Sequence, residues 1–191
     1  MEIDRRCCLR SLVIGAGLCA APFGLAATDG ERKGLEEEIL AMLKREMRDR
    51  AGLFKALVKK YGPGVLESVR DYVESSTAER LRAADLPRRD LDAILELIWK
   101  PSSGTLDWEV EAKSPGELRI RVTRCLYADE MRRRDAADIG FAFYCAFDDG
   151  FCRGFNPDLS FRRTKTLMAG DDCCNHTYTL TPSEPRPSGS G

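Results

Sequence analysis

The spacing of apolar residues has a helical period in the first half of the chain. Between Glu31 and Ala84 apolar side chains recur every three or four positions with charged residues between them, a spacing typical of amphipathic helices. Gly62-Pro63-Gly64 interrupts the pattern and predicts a break between two helices. A third, short helix is predicted over residues 90–99. These segments are expected to form a helical layer that packs on another part of the fold.

Apolar and polar residues alternate in the second half of the chain, which is the period of a β-strand. The alternation is clearest over Leu106–Ala112 and Leu118–Val122, which predict an antiparallel hairpin. A helix is predicted over 138–154, and a last hairpin from residues 159–168 and 175–180. Together these elements predict an α+β fold, in which the N-terminal helical layer packs on an antiparallel sheet built from two hairpins with an intervening helix.

The N-terminal residues have the features of an export signal. Arg5-Arg6 precede an uncharged apolar run from Leu12 to Ala27, in which the small residue Ala26 offers a cleavage site after position 26 or 27. The arginine pair is similar to the twin-arginine pattern, so the mature protein is expected in the periplasm of a Gram-negative-type cell. The apolar run is shorter than the ~20 residues that span a bilayer, and no membrane span is expected after signal removal.

Composition restricts the partners and the domain count. Residues 1–27 are interpreted as the signal and 28–180 as a single α+β domain, whereas residues 181–191 are rich in Pro, Ser and Gly and are expected to be disordered. The chain has 191 residues, with 30 basic and 31 acidic side chains. This balance gives no electrostatic basis for binding nucleic acid. We expect a small-molecule substrate, and the sequence does not indicate an oligomeric state.

The last predicted hairpin concentrates chemically active side chains. It contains His176, the only histidine of the chain. If residues 172–178 form a strand, its period of two places Asp172, Cys174, His176 and Tyr178 on one face. A carboxylate, a thiol, an imidazole and a phenol would then point in the same direction.

Two further candidates come from other elements. Cys125 lies where the second predicted strand ends, from where it could reach the same pocket. Asp148 lies between Cys145 and Cys152 at positions i, i+3 and i+7 of the predicted helix, so these three side chains share a face. The same pattern is expected if both cysteines are buried in the core and Asp148 and its neighbour Asp149 are exposed.

These residues suggest a nucleophilic mechanism with two variants. In the first, Cys174 supplies a thiolate, His176 lowers its pKa and later acts as acid, and Asp172 orients the imidazole. Side chains at i and i+2 of a strand are roughly 6.5–7 Å apart at the backbone, so a direct hydrogen bond between thiol and imidazole is not assured. In the second variant, His176 or Asp148 activates a water molecule instead.

The cysteines also allow structural explanations. The chain has eight, and five of them follow residue 28, so they cannot all pair within one chain. In an oxidising compartment Cys125 could form a disulfide with Cys174 or Cys145. Cys125, Cys145, Cys174 and His176 could together bind zinc, but no pair has the C-x₂₋₄-C spacing of zinc sites. We therefore expect no cofactor, with zinc as the alternative.

Several motifs between Trp108 and Tyr178 resemble one known family. In chain order they are Arg124-Cys125-Leu126-Tyr127-Ala128, an Asp-bearing Phe/Cys helix that leads into Phe155-Asn156-Pro157, the run Phe161–Leu167, and Gly170-Asp171-Asp172-Cys173-Cys174-Asn175-His176. The segment resembles the L-2-amino-thiazoline-4-carboxylic acid hydrolase family. It is more distantly similar to small-molecule-binding domains of the 4-vinyl-reductase type.

The first resemblance implies an α+β hydrolase of a small cyclic amidine or thiazoline-type substrate. Ring opening at a C–N bond would be assisted by a cysteine thiolate and nearby carboxylates. Within the matching motifs, Arg163, Asn156 and Thr166 are the candidates for substrate contacts. The second resemblance implies an exported binding domain without catalysis, and a disulfide- or zinc-stabilised structural domain is the third possibility.

Overall fold

The computed structural model describes residues 29–181, so the predicted signal and most of the predicted disordered tail lie outside the described residues. Two helices open this part of the chain, α1 (Asp29–Tyr61) and α2 (Gly64–Ala83). Gly62 separates them with a positive φ of 86°, a conformation that glycine adopts without a steric penalty. The predicted helices and the break between them are confirmed.

The third predicted helix is confirmed as a short composite segment. It begins as α3 (Leu91–Ile94), and the Asp90 side chain caps it by accepting a hydrogen bond from the Ala93 amide at 2.8 Å. It continues as a π-helical turn (Leu95–Trp99). Because the wider turn changes the angle between successive side chains, Ile98 and Trp99 are both buried.

Four antiparallel strands form one sheet in the order β1-β2-β4-β3. Their bounds are β1 (Leu106–Lys113), β2 (Glu117–Cys125), β3 (Leu159–Arg163) and β4 (Cys174–Leu180). The two hairpins are joined through the antiparallel pairing of β2 with β4. The α+β fold with helices on an antiparallel sheet is thus confirmed.

The segment between the hairpins differs from its prediction as one helix over 138–154. The structure has α4 (Leu126–Arg132), which was not predicted, then α5 (Ala137–Gly140), a π-helical turn (Phe141–Cys145) and α6 (Phe147–Phe155). The π turn rotates the chain relative to a regular α-helix. Phe143 therefore packs in a different core from Phe147 and Phe151, although the three residues are spaced by four.

The last hairpin also differs from its prediction, because its first strand ends at Arg163 instead of residue 168. The Asn175 side chain accepts hydrogen bonds from the amides of Thr164 and Lys165, at 2.9 and 2.7 Å, and so holds the chain where it leaves the sheet. A 3₁₀ turn (Leu167–Ala169) follows. Because β4 begins only after Asp172, the expected placement of this carboxylate on the strand face is wrong.

Apolar side chains form two cores. One lies between the sheet and helices α2, α3 and α6, and the other joins α1 to α4, α5 and the π turn before α6. Within residues 29–181, no helix combines the length and the apolar character that crossing a bilayer requires.

Candidate active site

The inner face of the sheet holds a buried charged array of three side chains. Asp148, at the start of α6, forms an ion pair with Arg163 at the end of β3. The same carboxylate oxygen lies 3.5 Å from Nε2 of His176 on β4. The side chains of Asp148, Arg163 and His176 are 14, 7 and 6% exposed. An acid is therefore placed between the single histidine and a fixed cation.

The array favours the ionised form of its acid. Burial raises the pKa of Asp148, but the contacts with His176 and Arg163 together outweigh burial, and the net pKa lies below its ordinary value. Burial lowers the pKa of Arg163, but Asp148 and weaker contributions from Cys145, Cys174 and Asp149 together outweigh it, so the net pKa is raised and the guanidinium remains charged. It also lies 5.6 and 5.7 Å from the ring centroids of Phe141 and Phe161, a cation–π arrangement that suits a desolvated arginine.

Aromatic rings enclose the histidine. The Trp99 ring meets it edge-on at 5.0 Å, the Phe161 ring lies at 5.8 Å, and the Tyr178 ring is nearly parallel to it at 6.5 Å. With Nε2 toward Asp148, the other ring nitrogen, Nδ1, has no hydrogen-bond partner among the described residues. In the neutral tautomer whose Nε2–H faces the Asp148 carboxylate, Nδ1 carries the lone pair. Nδ1 is therefore the atom of His176 that is suited to accept a proton.

Two thiols contact Thr166 beside this array, and a third, Cys125, packs nearby. Cys174 Sγ lies 3.7 Å and Cys145 Sγ 3.9 Å from the Thr166 hydroxyl. Cys125 packs against the core that contains Cys174 and against the core that Cys145 joins. That Cys125 reaches the same pocket as Cys174 stays a prediction. We call Cys125, Cys145 and Cys174 the thiol cluster.

The thiol cluster is protonated at neutral pH. Burial raises the pKa of Cys125 to about 11 and that of Cys145 to about 12. Burial also raises the pKa of Cys174, although a hydrogen bond from the Leu167 amide to its sulfur, at 3.2 Å, opposes this shift. No hydrogen bond joins Cys174 to His176 in the described part of the chain. All five cysteines of residues 29–181 are free thiols.

Two predicted site residues are engaged elsewhere. Asp172 is exposed and forms a salt bridge with Lys165 at 2.9 Å, so the structure does not place it beside the imidazole. The Asn156 amide donates to the carbonyl of Arg89 at 2.7 Å, and its oxygen accepts from the amide of Asp158 at 2.9 Å. Thr166 accepts a hydrogen bond from the amide of Met168, so it holds the 3₁₀ turn as well as the thiols.

Sequence reasoning missed Trp99 and the two glycines of α6. The sequence predicts Trp99 only as the last residue of a short helix. Its position just before the loop that leads into the sheet was the one signal that it could reach the site. A Cβ at Gly150 would lie 2.5 Å from the carbonyl oxygen of Glu74, and one at Gly154 would lie 2.4 Å from that of Ala78. Their spacing of four was the signal for a face without side chains that lets two helices approach closely. This contact with α2 fixes α6 and thereby Asp148.

An open groove of about 480 Å³ lies on the outer side of the site, between α2, α6 and β3. Phe161 lines it and also packs against the histidine ring. Glu74 in the groove contacts two lining arginines, Arg70 at 3.6 Å and Arg153 at 2.6 Å. Asp149 adds a second carboxylate to the lining. The groove is therefore lined by side chains of both charges and by one aromatic ring, that of Phe161.

Within residues 29–181, no group of three or more His, Cys, Asp or Glu side chains is arranged to hold a metal ion.

Fold and site define an α+β protein whose sheet carries a buried histidine–carboxylate pair beside a cluster of thiols. The family model described as L-2-amino-thiazoline-4-carboxylic acid hydrolase matches residues 31–178, and the chain belongs to this family. Neither the curated proteins nor the solved structures contain a significant match to the chain.

Proposed function

We propose that the protein hydrolyses a small cyclic amidine or thiazoline-type substrate, with His176 as general base. The observation that carries this proposal is that Asp148 holds Nε2 of the buried imidazole while Nδ1 is unpartnered. A carboxylate that orients a histidine and stabilises its cation is the arrangement that general-base catalysis uses. Arg163 keeps Asp148 ionised and in place.

In the proposed reaction, water adds across the C=N bond of the amidine. The water oxygen bonds to the amidine carbon, and His176 Nδ1 carries one water proton to the amidine nitrogen. The adduct then collapses as the bond from this carbon to a ring heteroatom breaks and a carbonyl forms. The heteroatom, nitrogen in a C–N opening, receives the remaining hydroxyl proton through the same imidazole.

The thiolate variant has weaker support from the geometry. A nucleophilic cysteine needs a lowered pKa or an adjacent base, whereas the pKa of Cys174 is raised and the thiol contacts Thr166 and Leu167. Activation of water does not require a thiolate. In this account the thiol cluster forms a neutral wall of the site.

The test is turnover of 2-amino-thiazoline-4-carboxylate and related cyclic amidines by the purified protein and its Asp148→Asn variant. Asn retains the shape but not the charge, so kcat/KM should fall by roughly 10²- to 10⁴-fold. Asp107→Asn is the matched control, because Asp107 also pairs with an arginine, Arg124 at 2.8 Å, but on the exposed face of the sheet. Equal activity of both variants would exclude Asp148 from the mechanism.

A second candidate function, binding of a small ligand without turnover, is favoured by the groove. A ligand carboxylate would replace Glu74 as the partner of Arg70 and Arg153, and Asp149 would bind a cationic group of the same zwitterionic molecule. Calorimetry with amino-acid-like ligands would test it. Saturable binding that weakens in Arg153→Gln, together with no hydrolysis of any cyclic amidine, would favour this function over the first.

A further inference from the structure

Three buried side chains around the site each carry a polar atom that no described residue satisfies. The atoms are Trp99 Nε1, His176 Nδ1 and the Tyr178 hydroxyl. The three residues are 2, 6 and 0% exposed. Buried polar atoms in native proteins almost always have a hydrogen-bond partner, and leaving one unmade is unfavourable. Three such atoms on neighbouring side chains point to a bound polar group.

The three rings form one cluster. Trp99 meets His176 and Tyr178 edge-on, with centroid distances of 5.0 and 6.5 Å, and the other two rings lie 6.5 Å apart and nearly parallel. His176 and Tyr178 are neighbours on one face of β4, and Trp99, the last residue of the π-helical turn Leu95–Trp99, completes the cluster. Each of the three side chains is therefore a neighbour of the other two.

The hydrogen-bonding capacities of the three atoms complement those of a water molecule. The indole N–H only donates, the phenol donates or accepts, and Nδ1 accepts when Nε2–H faces Asp148. One water can accept from Trp99 and donate to His176 Nδ1 and to the Tyr178 oxygen, and buried waters typically make about three such bonds. This arrangement leaves one lone pair of the water oxygen free for attack. Burial raises the pKa of Tyr178 well above its ordinary value, so the phenol stays neutral.

We propose that Trp99, Tyr178 and His176 together bind the water molecule that acts as nucleophile. The inference rests on the proposed function for the role of this water, but not for its presence. Trp99 donates to the water oxygen, Tyr178 accepts one water proton in a hydrogen bond, and His176 Nδ1 receives the other proton as the free lone pair attacks. Trp99 and Tyr178 themselves exchange no proton. The geometry thus gives a defined role to two residues outside the charged array.

A high-resolution crystal structure of the resting protein tests the binding site without any substrate. The expected result is one ordered water within about 2.7–3.2 Å of all three atoms. The indole N–H already approaches the phenol closely enough to lower its pKa in part. A direct hydrogen bond between Trp99 and Tyr178, with no water at Nδ1, would therefore overturn the inference.

The Tyr178→Phe variant tests the role of the site. It removes only the hydroxyl, so a purely structural Tyr178 predicts unchanged turnover and an unchanged or raised melting temperature. The inference predicts at least a tenfold lower kcat with little change in KM in a protein that remains folded. Tyr144→Phe is the control, because its hydroxyl accepts from Arg50 at 3.2 Å in the other core.

The two hypotheses fail separately. If Asp148→Asn abolishes turnover while Tyr178→Phe does not, the water site is wrong and the hydrolase remains. If the water is present but no cyclic amidine is hydrolysed, the site is real and the proposed reaction is wrong.

Discussion

Asp148 is buried between a cation and an imidazole, and this position determines how its ionisation contributes to stability. Its pKa is lowered in the folded protein because the contacts with His176 and Arg163 outweigh the effect of burial. A carboxyl group with a lowered pKa stabilises the fold above its unfolded pKa of about 3.9, and the contribution is lost as the pH falls through the folded value. The charged array should therefore contribute to the loss of folding stability below about pH 4.

Asp148→Asn should weaken the fold at neutral pH and reduce its acid sensitivity. Removing the carboxylate leaves Arg163 as a buried cation without its partner, which costs on the order of 3–5 kcal/mol. Urea unfolding at neutral pH and at several values below pH 4 would measure both effects. A variant that keeps the wild-type acid transition would show that Asp148 is not the group responsible.

The thiol cluster should react slowly with alkylating reagents at neutral pH. The pKa values of Cys125 and Cys145 are raised to about 11 and 12, and that of Cys174 is also raised, so few thiolates are present. Iodoacetamide labelling followed by mass spectrometry should find these positions unmodified in the native protein, with labelling increased at high pH and complete in denaturant. Rapid modification of Cys174 at pH 7 would instead support a thiolate nucleophile.

At the scale of elements, the contact between α2 and α6 determines the position of Asp148. The two helices touch backbone to backbone at Gly150 and Gly154. A side chain there could not be relieved by a rotamer change, because the opposing atoms belong to the main chain of Glu74 and Ala78. The precision of the site therefore depends on residues that carry no functional groups.

Gly150→Ala should separate the helices and destabilise the fold by about 1–3 kcal/mol. It should also lower turnover, because α6 carries Asp148 into the array. Gly52→Ala in α1 is the matched control: nothing lies within 4 Å of its Cβ position, and alanine there should stabilise the helix by about 0.5–1 kcal/mol. Thermal unfolding of both variants measures the contrast, and a neutral Gly150→Ala would contradict the close approach.

Helices and strands with a regular spacing of apolar residues could be predicted from the sequence. The short helix α4 and the end of β3 could not, because apolar spacing does not mark them. The long helices and the first hairpin follow directly from apolar spacing. α4 was missed because it is a short helix directly after β2, where no turn residue marks a boundary. The early end of β3 was missed because it depends on the Asn175 side chain binding two amides, a contact that has no apolar signature.

At the scale of the whole molecule, the fold joins parts of the site that are distant along the chain. Trp99 comes from the helical layer, Asp148 from the helix between the hairpins, and His176 from the last strand. The sequence identified His176 and Asp148 by residue type. It could not show that Asp148 rather than Asp172 reaches the imidazole, because that depends on where β4 begins and how α6 packs.

The most direct measurement compares turnover of a cyclic amidine by His176→Gln and Cys174→Ala, each confirmed as folded by circular dichroism. His176→Gln should lose activity by at least roughly 10²-fold, because the general base is gone. Cys174→Ala should stay within about tenfold of the wild type, because the thiol packs beside the site and attacks nothing. Loss of activity in Cys174→Ala with activity retained in His176→Gln would contradict the account and make the thiol the nucleophile.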